Sequence, residues 1–298
     1  MKRNIGFLLI TCCILAVQVP GVYAKDPSPE QLIAEHLKSI GDPAAISQIK
    51  SVILTGNAAV NFIIGSKGVP NQRGTFTIVS QGPQMGIVMR FPDTHTYPGE
   101  HFAYDGKTVT TENAYIGSRT PIADFIRRYN KIMKNGMLGG IFSNAWPLLD
   151  TKSNKANMKV RKTKLGGTEV YELEYRPRDN HGDMKIRMYF DTETYRHVCT
   201  EYKVQTPNDT TLLGAYVREG DISVAATNSE TYYTLVETFS DFRKVGEMTL
   251  PHGYTLDFNI SHIGASVSGG YATKWTMEAL EWRANTPEID QRFFNTEK

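Results

Sequence analysis

Cysteine is scarce in this chain. Of three cysteines in 298 residues, Cys12 and Cys13 lie in the first apolar block, and only Cys199 lies beyond it. If that block is removed on export, no intramolecular disulfide can form, and stability must come from a packed core. Long apolar runs are missing too. The block Ile5 to Val17 is interrupted by Gln18, Pro20 and Gly21 before it reaches the roughly 20 residues that a membrane-spanning helix needs. Charge of one sign is also lacking, since 33 basic residues face 31 acidic ones and the two are interspersed. Such a chain lacks the field that nucleic-acid binding draws on, so no nucleic-acid partner is expected.

Catalytic signatures are equally thin. There is no H-E-x-x-H and no paired Cys. Gly264 to Gly270 does not fit the nucleophile elbow G-x-S-x-G, and neither that loop nor Leu138-Gly139-Gly140 ends in the Lys-Ser/Thr of a phosphate cradle. No metal, no cofactor and no catalytic residue is expected, and the chain reads as a binding protein rather than an enzyme. The weaker enzymatic alternative is a hydrolase using Asp93 to His101, where His95 and His101 flank a Pro-Gly turn; two exposed loop histidines are the plainer reading. Cys199, between His197 and Glu201 on a strand, reads as a half-buried thiol. Glu172 and Glu174 read as solubilising carboxylates on the wet side of their strand.

What is present begins with an export signal. Lys2 and Arg3 precede the apolar block, and Val22-Tyr23-Ala24 offers an A-x-A-like cleavage site, so residues 1–24 are expected to be cut off after Ala24 and the product to be periplasmic. A lipid-anchored form fits less well, because Cys12 and Cys13 leave too short an apolar segment before the cut. Cleavage removes two basic residues and leaves 31 of each sign. Residues 25–298 are expected to form a single domain.

Pro29 to Ile40 has helical spacing with Ser28 as cap, and Asp42-Pro43 starts a short second helix. Short β-prone runs follow up to Thr111. Thr120-Pro121 then restarts a helix whose apolar stripe is Ile122, Phe125, Ile126, Tyr129, Ile132 and Met133, with Gly136 as a left-handed stop and a second apolar piece from Met137 to Trp146. After that come strands again, including a hairpin around Asp191-Thr192-Glu193. On its first arm Met184, Ile186, Met188 and Phe190 alternate with polar neighbours, and on its second Val198, Thr200, Tyr202 and Val204 form one side. Asn208 to Asn228 lacks periodicity and reads as a long excursion. Ten or eleven strands are too many for a flat open sheet. The expected fold is therefore mainly β (α+β): a curled antiparallel sheet forming an incomplete β-barrel, with the N-terminal helices and a central helix pair covering its concave face.

Three passages carry a resemblance: Phe102-Ala103-Tyr104-Asp105-Gly106-Lys107-Thr108-Val109, Met188-Tyr189-Phe190-Asp191-Thr192-Glu193-Thr194, and Phe239-Ser240-Asp241-Phe242-Arg243-Lys244-Val245-Gly246-Glu247-Met248-Thr249-Leu250-Pro251. In this order they resemble the superfamily of lipoprotein carriers and lipoprotein receptors of the bacterial envelope. The resemblance implies a half-shell of strands closed by a helical lid, holding acyl chains of a lipid or of a lipoprotein on its way to the outer membrane. No individual residue carries over from the family. Read from the residues themselves, the expected lipid-binding wall is Ile122, Phe125, Ile126, Tyr129 and Met133 of the helix with Tyr171, Leu173, Met184, Ile186, Met188 and Phe190 of the strands, Met137 and Met277 being further candidates. The basic residues Arg127, Arg128, Lys131 and Lys134 make peripheral membrane contact conceivable. The alternative is a scaffold or regulatory module whose hollow is filled by side chains and whose rim or strand edge takes an envelope protein partner.

Overall fold

A computed structural model describes residues 26–64, 71–92, 97–112, 119–151, 155–178, 182–207, 230–263 and 268–297. The export signal at 1–24, the excursion at 208–228, and His95 with Ser266 lie outside the described residues. The elements in chain order are α1 (Pro29–Ile40), α2 (Pro43–Ser47), β1 (Ser51–Ile64), β2 (Gln72–Gln81), β3 (Gln84–Arg90), β4 (Gly99–Tyr104), β5 (Val109–Thr111), α3 (Pro121–Arg128), α4 (Lys131–Lys134), β6 (Asn157–Leu165), β7 (Thr168–Arg176), β8 (Lys185–Asp191), β9 (His197–Pro207), β10 (Glu230–Val245), β11 (Met248–Ile263) and β12 (Ser268–Ala284).

All twelve strands join one open antiparallel sheet in the order β5-β4-β3-β2-β1-β12-β11-β10-β9-β8-β7-β6. Its meanders are set by local chemistry. At the β4–β5 turn, Asp105 Oδ1 accepts from the backbone N–H of Lys107 (3.0 Å) and Thr108 (2.8 Å). At the β8–β9 turn, Asp191 Oδ1 does the same for Glu193 (3.1 Å) and Thr194 (2.7 Å), so both reversals are encoded by an aspartate without Asn-Gly. β11 starts earlier than its apolar pattern suggests. Pro251 sits inside it opposite Phe242, and the strand runs on from Met248.

One parity along each strand feeds a single large core on the concave face. On β7 and β8 these are Leu173, Ile186, Met188 and Phe190, as the alternation predicts. On β9 the alternation slips. A register irregularity pairs Phe190 with His197 and Tyr189 with Cys199, so His197 turns into the core and Val198 joins Val170, Tyr189 and Cys199 on the convex face. That slip corrects the expectation for Val198. It also buries Cys199, which is 4 % exposed and not half-buried.

The concave face is covered by α1 and by residues 120–149. Thr120 caps α3 by accepting from Ala123 N–H at 3.2 Å, with Pro121 at the first helical position. The stripe Ile122 to Met133 is not one helix. The Asn130 side-chain amide donates to the Arg127 carbonyl at 2.9 Å, Tyr129 leaves helical geometry, and the chain restarts as the single-turn α4. Nor does Met137 to Trp146 complete a helix pair. Gly139 and Gly140 both take positive φ (86° and 52°), and only a 3-10 turn at Gly140–Phe142 forms. Gly136 does adopt the left-handed conformation expected of it, at φ 64°.

The convex face is finished at two places. Phe294 is fully buried against Ile53 and Val79, bringing the C-terminal segment onto β1 and β2. Further along, Glu172 is buried between Arg161 (2.8 Å) and Arg187 (3.5 Å), so it ties β6, β7 and β8 together instead of merely solubilising the strand. The Asp93 to His101 reading changes as well. His101 is not an exposed loop residue: it sits in β4, 7 % exposed, with Nε2 3.0 Å from the Phe293 carbonyl.

Candidate functional site

The expected lipid-binding residues belong to the main hydrophobic core or pack against it. Ile122, Phe125, Ile126, Met133, Leu173, Ile186, Met188 and Phe190 are at most 1 % exposed, while Tyr129, Tyr171 and Met184 are half-buried against the same core. Met137 and Met277 are likewise buried there. The α3 residue Phe125 meets Phe258 and Tyr233 at 5.1 and 6.1 Å between ring centres, whereas Phe190 of β8 meets His36 and His197 at 5.0 and 5.3 Å. Helix and strand candidates thus share one core without facing each other across an open space.

An open apolar pocket occurs elsewhere, at the end of the sheet where α1 and α2 cross it. Its volume is about 380 Å³, within the range of small-ligand sites. Leu37 and Ile40 of α1 and Pro43 and Ile46 of α2 form one wall. Ile141, Asn144 and Leu149 form a second, and Val245, Met248 and Leu250 of the β10–β11 turn, with Val52 and Trp282, close the rest.

Each wall has a local cause. Ser28 and Gln31 make a reciprocal capping box at the start of α1 (2.9 and 3.2 Å), and Asp42 Oδ1 accepts from Ala44 N–H at 2.6 Å to start α2. The Asn144 side-chain amide donates to the Ile49 carbonyl at 3.0 Å, and its backbone N–H donates to Ser80 Oγ at 2.8 Å, which fixes the second wall to the strands. Asn285 pins the rim through the Lys50 N–H (2.7 Å) and the Gln48 carbonyl (3.1 Å).

Lys50, exposed, is the cation at this pocket; Arg283 also borders it, but it pairs with Ile53 and turns its side chain to the convex face. Lys50 Nζ donates to the Ser47 carbonyl at 2.7 Å, and Arg283 lies 3.5 Å from Glu281. An apolar cleft with a cation beside it suits a molecule with a hydrocarbon tail and an anionic head.

Two buried carboxyl groups join the covering segment to the sheet. Glu237, fully buried, accepts from the Tyr202 hydroxyl (2.8 Å), the Tyr254 hydroxyl and the Gly139 N–H (2.7 Å). Burial pushes its pKa up to about 7, against the pull of those three donors. Glu100 accepts from Tyr97 (2.7 Å) and Thr120 (2.9 Å), and burial raises its pKa to about 8. Near the α1 end of the core, burial lowers His36 to about 4 and His197 well below its ordinary value, so both imidazoles are neutral. Among the described residues no cluster of three or more His, Cys, Asp or Glu could hold a metal ion.

Sequence reasoning missed Lys50, Glu100 and Glu237. For Glu237 the signal was present: Tyr233, Leu235, Glu237 and Phe239 share one parity, which places a carboxylate on an apolar face. For the pocket there was none, since its residues come from five separate stretches.

No protein-family profile matches the chain, and no curated protein matches it. Among solved structures it is similar to a DUF1329 family protein from Desulfovibrio piger, with 10% identity and a TM-score of 0.45 over 92% of this chain and 99% of that one. It is also similar to MucB in its complex with MucA(peri), with 12% identity and a TM-score of 0.21 over 85% of this chain and 99% of that one.

Proposed function

We propose that this is an exported, non-enzymatic envelope protein, akin to the lipoprotein-carrier superfamily, that holds an acyl chain of a lipid or lipoprotein in the pocket beneath α1 and α2. The observation that carries this reading is an apolar pocket of about 380 Å³ bordered by Lys50. The ligand class is an anionic amphiphile. Each methylene buried there contributes about 0.8 kcal/mol, so a partly enclosed chain can offset the several kcal/mol that association costs.

The test is titration of the mature protein with a fluorescent fatty acid, beside solvent extraction and lipid analysis of protein purified from a periplasmic fraction. Saturable binding that Ile46→Glu removes, with folding intact, supports the pocket. Binding that survives Ile46→Glu but is lost in Phe125→Glu or Met188→Glu protein that still folds would move the ligand into the core.

A second reading is favoured by one specific observation. The hollow of the half-barrel is filled by side chains from residues 120–149, Met133, Leu138, Phe142 and Trp146 among them, all at most 1 % exposed. A filled shell serves a scaffold or regulatory module that binds a protein partner through its rim or edge. An apoprotein that refuses fatty acid and lipopeptide alike would leave this reading standing.

A further inference from the structure

The two edges of the sheet are built differently. β5 is three residues long, all of them buried, and it is closed off by α3 and by the C-terminal segment, where Thr296 N–H donates to Thr110 Oγ1 at 3.0 Å. β6 is nine residues long with none of them buried, and among the described strands only β7 pairs with it. An edge of that length offers a row of backbone donors and acceptors to another chain.

The backbone shows which way that row points. The Lys162 N–H donates not to β7 but to Asp26 Oδ2 at 3.3 Å, so it faces away from the sheet. Strand alternation places the backbone groups of Met158, Val160 and Lys164 on the same outer side. A carboxylate is thus already seated on one of the edge amides.

Charge defines the occupant further. β6 reads N-M-K-V-R-K-T-K-L, with four cations and no acid. Lys159 and Arg161 share the parity of the convex face, and Lys162 and Lys164 that of the concave face. Carboxylates answer them from β7: Glu172 holds Arg161, Glu169 holds Lys162 and lies near Lys164, and Glu174 lies near Lys159. Among the described residues the outer side carries no strand to match.

We propose that β6 is the docking edge for an extended acidic segment of a partner protein, which adds to the sheet as a further strand with carboxylates on both of its faces. Backbone pairing supplies affinity, and the cations on both faces select acidic over neutral or basic segments. No β6 residue lines the pocket, and this site stands or falls independently of acyl-chain binding.

The simpler role for Lys on an edge strand is to prevent self-pairing, and the experiment separates the two. Mature full-length protein is titrated, by fluorescence anisotropy, with a labelled peptide of alternating Thr and Glu-Glu units. Parallel titrations use its Lys counterpart, a version N-methylated at alternate residues, and phosphatidylglycerol vesicles. Saturable binding of the acidic peptide is expected, with loss on N-methylation. Lys159→Glu with Lys164→Glu should weaken it about tenfold. Val160→Pro should abolish it, and unchanged circular dichroism and melting in the charge-reversal variant guard against misfolding. Equal binding of acidic and basic peptides, full binding of the N-methylated peptide, no binding at all, or binding of vesicles alone would each overturn the proposal.

Discussion

The Thr120 hydroxyl donates to Glu100 Oε2 at 2.9 Å while capping α3. One residue therefore starts the covering segment and fastens it to β4. Further along that segment, Gly139 N–H donates to Glu237, and the Tyr202 hydroxyl is within 3.0 Å of the Met137 carbonyl. The cover over the concave face is thus pinned at two buried carboxyl groups.

Stability should fall as pH rises because of these two groups. Their folded pKa values, about 8 for Glu100 and about 7 for Glu237, lie above the ordinary 4.5, so the folded state holds protons that the unfolded state releases. Their contribution is fully present below about pH 4.5 and is lost as pH climbs through 7 to 8, at about 1.4 kcal/mol per unit for each group inside its window. Thermal melts from pH 5 to 9 check this, and Glu100→Gln should flatten the fall. A midpoint that holds constant or rises over that range in wild type would refute the assignment.

Gly136→Ala should destabilise the fold by about 2 kcal/mol or more, because a left-handed φ is combined with a Cβ 2.2 Å from the Ala145 carbonyl oxygen. Gly166→Ala is the control. It has a similar positive φ in open space, and only the conformational cost of about 1 kcal/mol is expected. Urea denaturation of the two variants gives the difference directly.

Reversing charge at the pocket with Lys50→Glu should weaken fatty-acid binding about threefold and flatten its dependence on salt. Binding of a fatty alcohol of the same length should be unaffected. Equal loss for acid and alcohol would assign Lys50 a structural role.

Cys199 should resist thiol reagents in the folded protein. Burial, with Glu201 and Glu237 nearby, pushes its thiol up to about 12, so almost no thiolate exists at neutral pH. A chromogenic disulfide should label it only after denaturant is added, and fast labelling of native protein would contradict its placement.

The sheet was legible because alternation is a local signal. Ile186, Met188 and Phe190 turn inward as their spacing says, and Asp191 makes the turn that its side chain permits. The limits came where one residue breaks a period. The slip at Val198 reverses parity at His197, and the Asn130 side chain interrupts a stripe that reads as one helix. The pocket was hidden for another reason. Leu37, Ile46, Leu149, Met248 and Trp282 meet only after the sheet has brought both ends of the chain together.

That meeting of the ends has a consequence for how the molecule comes into being. β1, the first of the described strands, pairs along its inner side with β12, the last of them, with Val52 opposite Ala284. Until β12 is in place, β1 and β11 each wait with an unpaired border in what will be the middle of the sheet. The two halves of the sheet are therefore joined only when β12 pairs with both of its neighbours. A fragment ending short of β12 carries two unpaired borders where the folded chain has a continuous sheet.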